Sequence, residues 1–430
     1  MAEHRALAVI GGGWAGLAAA IEATRQGDRV TLFEMARQPG GRAREVEVDG
    51  LALDNGQHIC IGAYTETLRL LGVVGVAEGT AFLRMPLRMR YPDRAGLALR
   101  PGPAVLAFAS AVLRHPTWSM ADKISLLAAA ARWLVHGFHC DPALTVDGLT
   151  GNLPRAVREE LIGPLCVAAL NTPAQEASAS VFLRVLGDAL FSGRGSADLL
   201  LPRVSLGAVF PGPAAHWLAE AGATLRLGHR VESLTADGGR WAIDGEQFDG
   251  VALAASPLEA ARLCRPISPE WADVAAALRY EPIVTIYLRS DATVLPEPML
   301  ALPSDASLPA QFVFDRGQLG GPPGLLAFVI SGAQRWADAG IDATLAATRH
   351  QAEIHLAPFL RGALKPIQIV TEKRATFRCT PNLRRPWMQV ARGLCAAGDH
   401  VAGPYPSTLE GAVRSGIAAA RTLGTERDPT

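Results

Sequence analysis

The segment from Ala8 to Gly16 constrains the fold more than any other part of this chain. It reads Ala-Val-Ile-Gly-Gly-Gly-Trp-Ala-Gly, so an apolar strand enters the pattern Gly11-x-Gly13-x-x-Gly16 and a helix-forming run follows. Gly11 permits a tight turn, Gly13 lets backbone N–H groups approach a pyrophosphate, and Gly16 allows close packing of helix on strand. A second apolar run ends at Glu34, an acid placed to bind a ribose hydroxyl. These features predict a dinucleotide site at the edge of a parallel sheet.

Further strands of the same kind occur much later in the chain. Residues 207–257 predict a helix, a short strand, a Gly-Gly hairpin and an apolar strand. Near the C-terminus an apolar strand ends in Gly398-Asp399, and a helix over Leu409–Leu423 follows, capped by Ser407 or Thr408. We therefore expect a doubly wound α/β domain assembled from residues 1–80, 201–260 and 390–430. An α+β domain, formed by residues 81–200 and 261–389, is inserted into it.

Composition and charge exclude several classes of protein. The chain has 430 residues, 49% of them apolar, with 41 basic and 41 acidic side chains. This balance predicts no nucleic-acid partner. The six cysteines lie far apart without metal-ligand spacing, so we expect reduced thiols and no metal site. Because the first strand begins close to the first residue, we expect no signal peptide and a cytoplasmic location.

Two apolar stretches, 104–113 and 124–138, are shorter than a membrane-spanning helix requires. As a helix, the second stretch separates into two faces: Ser125, Ala129, Arg132 and His136 on one, and Ile124, Leu127, Ala131, Leu134 and Phe138 on the other. Two interpretations stay open. The helix covers the protein's own core, or it lies on a bilayer surface, at the inner face of the cell membrane, or covers a lipid channel.

A second glycine-rich motif, Gly40-Gly41-Arg42, follows the acid at the end of the second strand. Backbone amides and a guanidinium converge there, where a pyrophosphate or a ring edge could lie. The sequence contains no second complete GxGxxG pattern. The run 320–324, Gly-Gly-Pro-Pro-Gly, is a turn, because proline lacks the N–H groups that a phosphate cradle needs. We therefore predict one bound dinucleotide and no nicotinamide domain, which leaves the electron donor unidentified.

In combination, these motifs resemble the flavin-containing amine oxidase and carotenoid desaturase superfamily along the whole chain. The resemblance implies non-covalently bound FAD and a discontinuous Rossmann-like FAD-binding domain with an inserted α+β substrate-binding domain. It also assigns roles to individual residues. The ADP half would be held by Gly11, Gly13, Gly16, Glu34, Gly41 and Arg42, the adenine by the backbone of Val231, the ribityl chain by Gly398-Asp399, and the flavin pyrimidine carbonyl by the helix that starts near Thr408.

Three longer stretches, Leu53–His58, Gly62–Tyr64 and Leu165–Pro173, are similar to the squalene-associated FAD-dependent desaturases. That resemblance implies a hydrophobic polyisoprenoid substrate and a role in squalene and hopanoid synthesis. The implied reaction is reductive removal of the allylic hydroxyl of hydroxysqualene by reduced FAD. A substrate of this kind also makes peripheral membrane contact reasonable.

The resemblance places the segment after the Asp49-Gly50 hairpin beside the flavin, which makes Gln57 and His58 candidate catalytic residues. The departing hydroxide must be protonated, and an imidazole with an ordinary pKa near 6.5 suits this task. His58 is therefore the first candidate for general acid and Tyr64 the second. Alternatively, His58 bonds to the loop backbone and only orients the reactants. Asp54 is interpreted as structural, and the turn at Asn171 and Thr172 as a further candidate to face the substrate.

Three other functions remain open from the sequence. The same motifs serve a desaturase that runs the flavin in the oxidising direction on a polyisoprenoid, or an amine oxidase. An isoprenoid-binding chaperone on the same fold is the non-enzymatic alternative. The preserved glycine and Gly398-Asp399 motifs argue against the chaperone.

Overall fold

The protein is represented by a computed structural model that describes residues 5–48 and 50–425. Its strands are β1 Ala6–Ile10, β2 Arg29–Glu34, β3 Glu45–Val48, β4 Leu51–Asp54, β5 Cys60–Ile61, β6 Phe82–Met85, β7 Leu199–Pro202, β8 Thr224–Leu227, β9 Leu234–Asp237, β10 Arg240–Ile243, β11 Glu246–Phe248, β12 Gly250–Leu253, β13 Tyr280–Arg289, β14 Met299–Ala301, β15 Phe312–Asp315, β16 Leu325–Ile330, β17 Lys365–Phe377, β18 Gln389–Ala391 and β19 Leu394–Ala396. Its α-helices are α1 Trp14–Arg25, α2 Thr65–Val73, α3 Glu78–Ala81, α4 Ala104–Arg114, α5 Met120–Val135, α6 Val146–Thr150, α7 Arg155–Val157, α8 Gly163–Leu170, α9 Ala179–Phe191, α10 Leu206–Val209, α11 Pro211–Glu220, α12 Pro257–Cys264, α13 Pro269–Ala276, α14 Gln334–Ala339, α15 Ile341–His355 and α16 Leu409–Thr425.

The central sheet has the strand order β18-β19-β12-β1-β2-β8. Its pairs are parallel except β18 with β19, and its strands come from three separated stretches of the chain. β1 is buried throughout, and its side chains alternate between the two faces of the sheet. Leu7 and Val9 pack with α1 and α16, whereas Ala8 and Ile10 pack with β10, α12 and α13. The predicted doubly wound, discontinuous α/β architecture is therefore confirmed.

The remaining strands form smaller sheets. The largest is antiparallel, with the order β14-β15-β16-β13-β17. β3 and β4 form the predicted hairpin, although Asp49 of its turn lies outside the described residues. A mainly helical layer, α4 to α9, packs around its own buried cluster, to which Phe377 of β17 belongs.

Residues Leu153–Leu170 do not form a single helix. Instead, the short α7 leads into a π-helical turn over Arg158–Ile162, and α8 starts at Gly163. Pro164 supplies the reason, because proline has no N–H for the helical ladder and its ring clashes with the preceding turn.

The face of α5 that covers the core is not the one that the apolar pattern suggested. Leu126, Ala129 and Trp133 are buried, whereas Ile124 and Leu134 are 59% and 45% exposed. Ala129 had been placed on the polar face. Within the described residues, no helix combines the length and hydrophobicity needed to span a bilayer.

Helices α1 and α16 pack closely against each other. A Cβ atom at Gly416 of α16 would lie 2.0 Å from the carbonyl oxygen of Ala15 in α1, a distance that only glycine permits. Ala15 also lies next to the glycine turn that begins α1. α16 can therefore pack this closely on α1 only because Gly416 has no side chain.

We expect Gly416→Ala to lower the free energy of unfolding by about 1–3 kcal/mol, because the added methyl group forces the helices apart. Denaturant unfolding measures the loss. Gly72→Ala in α2 is the matched control, because no described atom lies within 4 Å of its added Cβ and alanine favours a helix. Equal stabilities of the two variants would contradict this account of the packing.

Candidate active site

A cavity of about 710 Å³ opens at the carboxyl ends of the central strands and extends to the five-stranded sheet. This volume lies in the upper part of the range for ligand sites, roughly 300–1,000 Å³. Every residue predicted to be catalytic or to bind the cofactor lines it, except Gly16. These residues are Gly11, Gly13, Glu34, Gly41, Arg42, Gln57, His58, Tyr64, Val231, Gly398, Asp399 and Thr408.

The glycine turn has the geometry of an anion cradle. Gly11 has a φ of 107°, and a Cβ at Gly16 would lie 1.8 Å from the Gly11 carbonyl oxygen. Gly16 therefore serves packing and not the cavity wall. A Cβ at Gly13 would meet nothing closer than the Gly41 Cα atom at 3.9 Å, so that side chain would occupy the cavity. Among the described residues no side chain caps the start of α1, which leaves its first N–H groups for a ligand.

Glu34 is held by backbone N–H groups at the end of β2. One oxygen accepts from the amide of Gly12 at 2.6 Å and the other from the amide of Ala36 at 2.7 Å. Gly12 is a residue that sequence reasoning missed, because the fingerprint leaves this position unspecified. A Cβ there would lie 3.0 Å from the Cβ of Glu34. Gly12 thus positions Glu34, which lines the cavity.

Arg42 joins distant parts of the chain at the cavity wall. Its guanidinium donates to Asp399 at 2.5 Å and to the carbonyl oxygen of Ala375 in β17 at 2.8 Å. Burial alone would raise the pKa of Asp399, but the Arg42 charge, the neighbouring His400 ring and a hydrogen bond from Ser407 hold it well below its usual range. Asp399 is therefore ionised at any physiological pH.

A second arginine, Arg385, holds the loop that follows Gly398. Its guanidinium donates to five backbone carbonyl oxygens, those of Asp399, His400, Val401, Gly403 and Tyr405. It also stacks on the Phe377 ring, 4.6 Å from the centroid. No sequence motif marks this residue, since the five oxygens that accept its hydrogen bonds are all main-chain atoms. The loop conformation beside Asp399 depends on it.

The remaining predicted cofactor residues also have defined partners. The Oγ1 atom of Thr408 accepts from the Gly411 amide at 3.1 Å, so Thr408, and not Ser407, caps α16. Ser407 instead donates to Asp399. The carbonyl oxygen of Val231 accepts from Arg262 at 2.6 Å. The start of α16 points toward the cavity, because Thr408 lines it.

The three catalytic candidates, Gln57, His58 and Tyr64, all line this cavity. The Nδ1 atom of His58 is 2.6 Å from the carbonyl oxygen of Gly56, which can only accept, so Nδ1 carries the proton. Burial lowers the pKa of His58, which keeps the ring neutral at pH 7 and leaves Nε2 as an acceptor. Gln57 accepts from the buried Arg316 at 3.2 Å. Burial raises the pKa of Tyr64, so its phenol keeps its proton.

The far end of the cavity is apolar. Strand alternation decides which hydrophobic side chains of the five-stranded sheet reach it. Ile283, Phe312 and Phe314 line the cavity. Ile286 and Phe328 instead pack on the opposite face of the same sheet, within a separate core cluster.

Asn171 and Thr172 connect the helical layer to this sheet. Asn171 ends α8 in the left-handed conformation, with φ of 48°. Its side chain donates to Thr376 in β17 at 3.0 Å and accepts from the Gly332 amide at 2.7 Å. Thr172 accepts from the Cys379 amide. These bonds give both residues a structural explanation, although Asn171 also lines the cavity.

Asp54 lies behind the wall and is 2% exposed. One oxygen accepts from the Leu206 amide at 2.7 Å, and the other has no hydrogen-bond partner within the part of the chain that the structure describes. Burial raises its pKa from 3.8 to about 6. The hydrogen bond that Asp54 accepts from the Leu206 amide agrees with the structural role inferred from the sequence.

Asp54 predicts a pH-dependent component of stability. Because its pKa is higher in the folded state, the protonated form stabilises the fold, and this contribution is lost as the pH rises through about 6. Between about pH 4 and about pH 7 we expect the wild type to lose about 2–3 kcal/mol relative to Asp54→Asn. Denaturant unfolding at both pH values measures the difference. The exposed Asp273→Asn is the control, and identical pH profiles for wild type and Asp54→Asn would contradict the assignment.

Comparison with known proteins agrees with this geometry. The family model described as flavin containing amine oxidoreductase matches residues 14–423. Hydroxysqualene dehydroxylases of Rhodopseudomonas palustris and Sinorhizobium fredii are 30% and 28% identical to the chain, each over 96% of both proteins. The predicted resemblance to squalene-associated FAD-dependent desaturases is thereby confirmed.

Solved structures of low sequence identity share the fold. An oxidoreductase from Methanosarcina mazei superimposes with a TM-score of 0.72 at 15% identity, covering 97% of this chain and 100% of its own. Cyclohexylamine oxidase from Brevibacterium oxydans gives 0.70 at 17% identity, with 99% of each chain covered. The chain therefore belongs to the flavin-containing amine oxidoreductase family and is an FAD-dependent oxidoreductase.

Proposed function

We propose that this protein removes the allylic hydroxyl of hydroxysqualene reductively and releases squalene. The observation that carries the proposal is one continuous cavity with a nucleotide cradle at one end and an apolar wall at the other. The full-length relatives named hydroxysqualene dehydroxylase support the same reaction.

The cradle fits FAD in both shape and charge. The proposed contacts of the ADP half are the open start of α1, Gly13 and Gly41, with Arg42 near the phosphates and Glu34 at the ribose. The proposed contacts of the remainder are Val231, Gly398, Asp399 and Thr408. The uncapped α1 and the space at Gly13 support this assignment, because both leave room and donors for a pyrophosphate.

Reduced FAD supplies the hydride in the proposed reaction. The allylic C–O bond breaks, a C–H bond forms, the hydroxide takes up a proton and leaves as water, and the flavin is oxidised by two electrons. This end of the cavity must therefore bind a hydroxyl group and provide a proton, while the rest holds a hydrocarbon chain.

Among the polar residues that line the cavity, His58 and Tyr64 have complementary properties. His58 is neutral, and its Nε2 atom can accept a hydrogen bond from the substrate hydroxyl. Tyr64 retains its proton and can donate. We therefore propose that His58 orients the hydroxyl and that Tyr64 is the proton donor, which reverses the order expected from the sequence. Gln57, bonded to Arg316, positions the loop that carries His58.

The reaction can be tested by stopped-flow spectroscopy. The FAD-loaded protein is reduced with dithionite under anaerobic conditions and mixed with hydroxysqualene. We expect the visible absorbance of oxidised flavin to return and squalene to form in equal amount. If hydroxysqualene leaves the flavin reduced while squalene-like polyenes reduce the oxidised protein, the enzyme is a desaturase and the proposal is wrong.

The same assay tests His58. Because its Nε2 atom orients the leaving group, His58→Ala should slow reoxidation by about tenfold or more without loss of bound FAD. His350→Ala, an exposed position in α15, is the control. An unchanged rate in His58→Ala would remove this residue from the mechanism.

Arg385 provides a test of the cofactor cradle. Lysine presents its donors on one nitrogen and cannot reach five carbonyl oxygens, so Arg385→Lys should loosen the loop after Gly398. We expect the Kd for FAD, measured by flavin fluorescence, to rise by about tenfold or more. The neighbouring Arg384→Lys is the matched control, because Arg384 is exposed and pairs with Glu270 at the surface. Unaltered FAD affinity in Arg385→Lys would show that this loop does not hold the cofactor.

A further inference from the structure

Helix α5 exposes a continuous apolar stripe. Met120, Ile124, Ala128, Ala131 and Val135 follow a helical spacing along one face, and all five are exposed. Ile124 is 59% exposed and Val135 81%. Surface helices usually turn such a stripe inward, so its exposure indicates an interaction surface.

Helix α4 extends this stripe. It packs against α5, and it exposes Leu106 and Leu113, which lie two turns apart on one of its faces. The α4–α5 surface, as we name it, consists of Leu106, Leu113, Met120, Ile124, Leu134 and Val135. These six side chains are between 45% and 81% exposed.

The segment that carries the α4–α5 surface has a net positive charge. Residues 100–140 contain four cations, Arg100, Arg114, Lys123 and Arg132, and a single acid, Asp122. Asp122 is engaged in the capping box with Ser119 at the start of α5. None of the four cations has an ion-pair partner within residues 5–48 and 50–425. The local excess contrasts with the balanced charge of the whole chain.

A second cavity, of about 640 Å³, adjoins this surface and is rich in arginine. Its lining includes Arg88, Arg90, Arg94, Arg100 and Arg114. The first three have acidic partners, since Glu297 is shared by Arg88 and Arg90 and Asp93 pairs with Arg94. The remaining two do not, as noted above. Arg114 is the last residue of α4, so this cavity lies at the edge of the α4–α5 surface.

We propose that the α4–α5 surface docks on an anionic phospholipid bilayer. The apolar side chains enter the interfacial region, and Arg100 and Arg114 bind headgroup phosphates. Cations are attracted to an anionic leaflet, and exposed apolar side chains strengthen binding when the bilayer buries them. A second copy of the chain is a poorer occupant, because a symmetric contact would bring the same four cations together.

Helix α4 lies between the proposed docking surface and the main cavity. Phe108, on the same helix as Leu106 and Leu113, lines the main cavity, and so do Leu186 and Leu190 of α9, which packs against α4. An apolar guest dissolved in the bilayer therefore reaches the cavity past one helix and without crossing water. The identity of the guest rests on the proposed function, but the docking does not.

Vesicle sedimentation tests the proposal without any substrate. The FAD-loaded protein is mixed with vesicles of phosphatidylcholine alone, or of equal parts of phosphatidylcholine and phosphatidylglycerol. We expect binding to the anionic vesicles that weakens as salt is added, and little binding to the neutral ones. Leu106→Gln/Ile124→Gln/Val135→Gln and Arg100→Gln/Arg114→Gln should each weaken binding by about tenfold or more.

The control variants change equally exposed residues elsewhere. Val294→Gln/Ile341→Gln/Ile354→Gln matches the apolar triple, and Arg335→Gln/Arg384→Gln matches the charge pair. Both should bind like the wild type. The proposal is overturned if the protein ignores anionic vesicles, or if test and control variants bind alike. It is also overturned if light scattering without lipid shows a dimer that the apolar triple variant abolishes, because a second copy then covers this face.

Discussion

The close approach of backbone to backbone around the first glycine turn is the constraint on which the rest of the structure depends. β1 lies between two parallel neighbours, and its last residue leads into a turn where Gly11 and Gly16 nearly touch. α16 then lies directly on α1 through Gly416. Side chains at any of these three positions would separate the layers that form the cavity. Because these three residues have no side chain, the starts of α1 and α16 both lie at the wall of the cavity.

The glycine motifs and the strands of the parallel sheet could be predicted from the sequence, because each depends on local backbone requirements and on a buried apolar run. What could not be predicted depends on partners far away in the chain. Arg385 bonds only to carbonyl oxygens, which leave no trace in residue type. The exposed stripe of α5 is equally unpredictable. Helical spacing identifies an apolar face, but only the neighbouring helices determine whether another face is buried instead.

In the candidate active site, too, some features could be predicted from the sequence and others could not. The sequence brought Gln57, His58 and Tyr64 to attention, but their roles depend on hydrogen bonds that spacing cannot reveal. A carbonyl oxygen beside Nδ1 fixes the tautomer of His58, and burial then keeps its ring uncharged. In the stretch Leu165–Pro173, by contrast, a candidate from the sequence has a structural role. The side chain of Asn171 is committed to joining α8 to the strands, so a stretch that resembles a family signature serves architecture here.

The order in which the chain leaves the ribosome has a consequence for how the sheet is completed. β12 pairs with β19, which begins at Leu394. During synthesis the edge of β12 therefore stays open while more than a hundred further residues are added, and that edge is a template for aggregation. Arg42 likewise cannot form its ion pair until Asp399, 357 positions later, has been synthesised. The nascent protein thus depends on protection of this strand until the final part of the chain arrives, and truncation before β19 leaves the edge permanently uncovered.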